Sequence, residues 1–124
     1  MPVPVLKQGD YLIASIQSAL SDARLTQLRD DLLRRVGRHR SRGVIVDLTA
    51  LDVLDSFGAR TLNDMGKMLR LKGAETVVVG IQPEVAIAMV RLGLALEGVA
   101  TALDLEEGLA YLGKRLKRGA RDGR

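Results

Sequence analysis

This sequence predicts an α/β fold, a single domain on a mixed sheet of four to five strands with an N-terminal antiparallel hairpin and about four helices packed against it. Three observations predict it. Val44-Ile45-Val46 and Thr76-Val77-Val78-Val79 are apolar, β-branched runs of the kind found in strands buried on both faces. A stretch of helical period follows each run, and that alternation implies right-handed crossovers and parallel pairing. The first sixteen residues instead hold two strand-like segments around a turn, which adds an antiparallel edge. At 124 residues and 47% apolar content the chain suffices for one core, and no linker, repeat or low-complexity segment divides it. Residues 1–117 read as the domain and 118–124 as a basic, frayed tail.

In order, Val3 to Lys7 and Tyr11 to Ile16 form the hairpin strands, and Gln8-Gly9-Asp10 supplies the turn. Pro2 and Pro4 suit an edge, because proline cannot donate to a sheet ladder. Ser21-Asp22 opens a helix with serine as the cap and aspartate in the first turn. Leu25, Leu28, Leu32 and Val36 lie on its inner face, and Gly37 is the expected stop. Val44 to Leu48 is the central strand. A second helix runs from about Phe57 to Lys72 with Leu62, Met65 and Leu69 inward, and Gly73 just past its end. Gly58 and Gly66 inside it each cost about 1 kcal/mol relative to alanine, which points to close packing or to close approach of another chain. Thr76 to Gly80 is the next strand, and Pro83 starts a short helix with Val85, Ala86, Met89 and Val90 inward and Gly93 at its end. Val99 to Leu103 forms a last short strand. Asp104-Leu105-Glu106-Glu107 is a capping box before a helix carried by Leu105, Leu109, Leu112 and Leu116.

Composition excludes several chemistries. There is no cysteine, hence no disulfide and no thiolate metal site. The single histidine, His39, stands between Arg38 and Arg40 without a partner of metal-ligand spacing. No phosphate-binding loop, dinucleotide turn or hydrolase elbow occurs. The N-terminus lacks a signal-peptide pattern and no window suits a membrane span, so a cytoplasmic protein is expected. The basic balance belongs to the end of the chain. Residues 113–124 sum to +5 and the whole chain to +4. With 2% aromatics the chain lacks the stacking surfaces of single-strand binders. Arg34, Arg35, Arg38, Arg40 and Arg42 read as a helix end matched to its dipole, and a nucleic-acid patch there is the lesser reading.

The informative stretch joins the central strand to the second helix. Asp47, Asp52 and Asp55 surround that connection. They could form an acidic Mg²⁺ pocket, but backbone hydrogen bonding in a tight turn is the plainer assignment, so no metal and no cofactor is expected. Asp55-Ser56 then meets the helix start. Ser56 as the N-cap would bond a free N–H of the next turn for about 1 kcal/mol. The same position would expose it to a kinase, and its phosphate would meet the positive end of the helix dipole.

Val44-Ile45-Val46-Asp47-Leu48-Thr49, a short turn, then Val53-Leu54-Asp55-Ser56-Phe57-Gly58 entering a helix resembles the central motif of STAS domains, shared by anti-sigma-factor antagonists and sulfate-transporter C-terminal regions. The resemblance extends over about residues 3–117. Many antagonists carry Asp-Ser-Ser-Gly and are phosphorylated on the second serine, a position that is Phe57 here. The Asp-Ser-Phe form is similar to the RsbS-type scaffold proteins of stressosomes. The resemblance implies Ser56 as phosphoacceptor, framed by Asp55, Phe57 and Gly58, in a non-enzymatic protein. It further implies capture of a serine/threonine switch kinase of the RsbT type, and homo- and hetero-oligomeric assembly with STAS paralogues of the RsbR type. A one-to-one anti-sigma factor antagonist without large assembly is the alternative.

Overall fold

The computed structural model describes residues 3–122, with side chains as far as Lys117. The readings placed on Met1 and Pro2, on the side chains beyond Lys117 and on Gly123 and Arg124 lie outside the described residues. Nine elements follow one another: β1 (Val5–Gln8), β2 (Tyr11–Ser15), α1 (Asp22–His39), β3 (Gly43–Asp47), α2 (Ser56–Leu71), β4 (Glu75–Val79), α3 (Pro83–Arg91), β5 (Ala100–Ala102) and α4 (Leu105–Asp122). The sheet order is β1-β2-β3-β4-β5, antiparallel between β1 and β2 and parallel thereafter. This is the mixed sheet that the sequence predicts.

Local chemistry sets most boundaries. Gly9 takes φ 58° at the first turn position between Gln8 and Tyr11, the glycine-requiring place of a type II′ hairpin. β1 starts at Val5 and not at Val3. Pro4 has no N–H, so its link to β2 is the single bond from Ser15 N to Pro4 O at 3.2 Å. The Ser21 side chain caps α1, accepting from Arg24 N. That helix passes through Gly37 and stops at Arg40, which adopts the left-handed conformation at φ 53°. Arg42 N and Gly43 N then both bond Asp10 O, fixing the entry to β3 against the hairpin turn. Pro83 opens α3, and Asp104 Oδ1 accepts from Glu107 N at 2.9 Å ahead of α4.

Alternation along the strands divides the core into two layers. Leu12, Ala14, Val44, Val46 and Val78 point to the face covered by α1, α2 and α3. Ile13, Ile45, Val77 and Val79 point to the other face, which α4 covers through the fully buried Leu112. The α1 side chains Leu25, Leu28, Leu32 and Val36 are all buried. In α3 only Val85 and Met89 are; Ala86 and Val90 face outward, because a nine-residue helix lying flat on one layer buries a single row. In α4, Leu105 is likewise exposed and Leu109 and Leu116 are half-buried. The backbone of α4 continues without a break past residue 117 to Asp122. Among the described residues no helix is long and apolar enough to cross a membrane.

Candidate functional site

β2, β3 and β4 end together, with Ser15, Asp47 and Val79 side by side, and the connections into α1, α2 and α3 all leave from this edge. In open sheets with parallel strands, this carboxyl edge is where partners and ligands are met. Ser56 lies on the middle connection.

That connection, residues 48–55, is built from alternating anchors and exposed residues. Leu48, Leu51 and Leu54 are buried, whereas Asp52, Val53 and Asp55 face outward. Asp47 Oδ1 accepts from Thr49 N at 2.9 Å and from Thr49 Oγ1 at 2.6 Å, and Leu51 N closes a turn onto Leu48 O at 2.9 Å. The β4–α3 connection latches on from the side, Gln82 Nε2 donating to Thr49 O at 2.8 Å. Gly80, at φ 75°, lies so close to Thr49 that a β-carbon would run into Thr49 Oγ1. Two loops therefore hold each other, and the approach to α2 is fixed.

Asp55, not Ser56, is the N-cap of α2. Its backbone is extended (φ −89°, ψ −179°), its Oδ1 accepts from Gly58 N at 2.8 Å, and its carbonyl accepts from Ala59 N at 3.0 Å. Ser56 is the first helical residue. The expectation of a capping serine is corrected by one position, since the residue that keeps extended dihedrals is the one whose side chain reaches the third N–H. Ser56 is half-buried, and its Oγ makes no hydrogen bond among the described residues. Gly58 is buried, and a β-carbon there would meet Leu54 Cδ1 at 2.7 Å and Asp55 Oδ1 at 3.3 Å, so glycine lets the cap close. Phe57 is half-buried on the turn's flank, its carbonyl accepting from Thr61 Oγ1 at 2.8 Å.

The three aspartates are thus unequal. Asp47 and Asp55 bond backbone N–H groups, while Asp52 is exposed. Among the described residues no group of three or more acidic or histidine side chains is placed to hold a metal ion. His39 ends α1 at the opposite edge of the sheet, so the fold does not bring it to Ser56. A cavity of about 60 Å³ lies beneath the connection, lined by Ile16, Leu20, Leu25, Leu51 and Leu62 among others. Sites for drug-sized ligands occupy several hundred Å³. In the basic segment, Arg34 and Arg35 are paired with Asp31 at 2.8 and 3.0 Å, leaving Arg38, Arg40 and Arg42 on the surface.

Sequence reasoning missed Thr49 and Gln82. The Asp47-Leu48-Thr49 spacing carries the Asx-turn signal that could have found Thr49, but the Gln82 contact spans 33 residues and has no local sign. It also missed Arg60, exposed one turn along α2 from Ser56 and without an ion pair among the described residues.

A family model described as the STAS domain matches residues 3–108. The chain is 30% identical over 107 residues to the RsbT co-antagonist protein RsbRA of Bacillus subtilis (strain 168), covering 86% of this chain and 38% of that protein. It spans about two-fifths of the length of this and two further RsbT co-antagonist relatives of the same organism. A solved serine-to-glutamate variant of RsbS from Moorella thermoacetica is 38% identical with a TM-score of 0.77, covering 94% of this chain and 97% of that one. A chain in a structure of the stressosome, described as a signal integration and transduction hub, is 36% identical with a TM-score of 0.72, covering 93% and 99%.

Proposed function

The chain belongs to the STAS domain family, and on that footing we propose that it is a non-enzymatic regulatory scaffold of a stressosome. As an anti-sigma factor antagonist, it holds a serine/threonine switch kinase of the RsbT type while unphosphorylated and releases it once Ser56 is phosphorylated. Its similarity along nearly the whole chain to an RsbS and to a stressosome chain supports the scaffold role. Its similarity to an RsbT co-antagonist supports the kinase and the RsbR-type paralogues as partners.

The observation that carries the reading is the division of labour at the helix start. Because Asp55 does the capping, the Ser56 hydroxyl is committed to no hydrogen bond among the described residues and its loss or modification leaves the cap intact. A phosphate adds about −1.5 to −2 charges at neutral pH. Placed on Ser56 it stands beside the exposed Asp55 carboxylate, on a loop latched by Asp47, Thr49 and Gln82. The docking surface then changes in charge while its backbone stays in place. A kinase seated over Asp55, Ser56 and Phe57 would meet desolvation and repulsion that the unmodified surface does not present.

The test incubates the protein with ATP and the kinases encoded beside it, followed by intact-mass and peptide mapping. One phosphate on Ser56 is expected, and none in Ser56→Ala, which should bind the kinase constitutively; Ser56→Asp should weaken capture. Full phosphorylation of the alanine variant would overturn the site. Gel filtration with an RsbR-type paralogue separates the scaffold from a one-to-one antagonist: a megadalton peak supports the former, and a small complex the latter.

A further inference from the structure

On α2, Ser56 and Arg60 are separated by one helical turn and lie on the face turned away from the core. The opposite face is defined by the buried Gly58, Leu62, Met65 and Leu69. Residues four apart on a helix have their β-carbons about 5–6 Å from each other. Helical side chains also lean toward the N-terminus, so Arg60 covers the turn that begins at Ser56. Arg60 is exposed and has no ion pair among the described residues; even Asp64, one turn further on, does not engage it. The next outward cation of this helix, Lys67, is two turns beyond Arg60. The connection that leads to Ser56 carries acid, with Asp52 and Asp55 exposed on it and Asp47 at the end of β3. An exposed guanidinium without an ion pair among the described residues therefore stands one turn from a hydroxyl that directly follows a carboxylate.

We propose that Arg60 is the in-chain partner of a phosphate carried by Ser56, closing over it as a clamp once it is added. The inference rests on the Ser56 reading above and gives the modified site its own counter-charge. Before phosphorylation Arg60 makes no ion pair among the described residues. Afterwards a phosphate oxygen pair matches its planar fork, an arrangement open to arginine and poorly met by the point charge of lysine. The clamp draws the phosphate along α2, away from the repelling Asp55, and keeps the segment ordered in both states. It also screens part of the new charge, so that the modified surface differs from the unmodified one in a directed way: positive charge at Arg60 is consumed as negative charge at Ser56 appears.

The test places phosphoserine at position 56 by genetic code expansion, so that its outcome does not depend on any kinase. The probe is the ³¹P resonance of that phosphate, titrated with pH in the full chain. Replacing Arg60 by Gln should raise the second phosphate pKa by about 0.3–0.7 unit, the size of one exposed charge pair. Arg60→Lys should restore part of the shift, and Lys67→Gln, which removes the same charge two turns away, should leave the titration nearly unmoved. The Arg60 side-chain Nε–H resonance should shift on phosphorylation and become slower to exchange. Titration curves that superimpose with and without Arg60 would overturn the clamp, as would equal shifts from Arg60→Gln and Lys67→Gln, which would mean a diffuse field. Kinase mapping that finds another acceptor would instead remove the Ser56 reading while leaving this measurement valid.

Discussion

Asp55 and Ser56 are adjacent residues of two types that cap helices equally well, and the structure gives the duty to one of them. The consequence is measurable. Asp55→Ala removes the acceptor of the Gly58 N–H and should cost about 1 kcal/mol in chemical denaturation. Ser56→Ala removes a hydroxyl with no partner among the described residues and should change stability by less than about 0.5 kcal/mol. The reverse order of effects would return the cap to Ser56. Composition cannot separate the two assignments, because the choice lies in which residue keeps extended dihedrals, and that follows from where Leu54 is anchored in the core. The same limit explains Gly37. A glycine near the end of a helical pattern is a good stop in general, but α1 ends where the chain must reach Asp10 and enter β3, at Arg40.

At the scale of elements, the glycines inside helices separate into those with a contact and those without. Gly66 of α2 faces the α3–β5 connection so closely that a β-carbon would run into the Gly98 carbonyl oxygen. The same connection is held to α2 by Asn63, which donates to Ala95 O at 2.6 Å and accepts from Gly98 N at 3.1 Å. Alanine at 66 would gain about 1 kcal/mol of helix propensity but must displace backbone, a strain of the kind that costs about 1–3 kcal/mol. Gly66→Ala should therefore destabilise, and thermal melts should show it. Gly113 of α4 has open space around its missing β-carbon. Gly113→Ala should stabilise by about 0.5–1 kcal/mol, since propensity acts there alone. The close approach at Gly66 was legible in the sequence as an unusual glycine in a helix; its partner was not, lying 32 residues away. Strand identity and order were legible for a simple reason. Strands buried on both faces are almost pure Val and Ile, whereas α3, with one buried row, shows a pattern too weak to say which of its apolar residues face inward.

Across the whole molecule, charge is sorted by the direction of the helices. Each crossover helix leaves the carboxyl edge of the sheet and runs back to the amino edge, so cations matched to helix C-termini gather far from Ser56. α4 shows the path: Gly108 packs on Val79 near the site edge, Leu112 reaches Gly43 where β3 begins, and Arg115 approaches Glu75 at the start of β4 to 3.8 Å. From Leu105 to residue 118 the helix descends about 20 Å at 1.5 Å per residue. The Debye length at physiological salt is about 8 Å, so the α4 backbone at residue 118 lies more than two screening lengths below the edge that carries Ser56. A charge carried at that depth has a small field at Ser56. Among the described side chains of α4 the last fully buried one is Leu112, well before that point. A chain ending at Lys117 should accordingly keep its unfolding midpoint. It should also accept phosphate on Ser56 at the wild-type rate and form the same complex with an RsbR-type paralogue in gel filtration. A truncated chain that folds but loses kinase capture would show that the tail contacts the partner directly. Unchanged behaviour on all counts means that the basic tail takes no part in the switch proposed at the carboxyl edge.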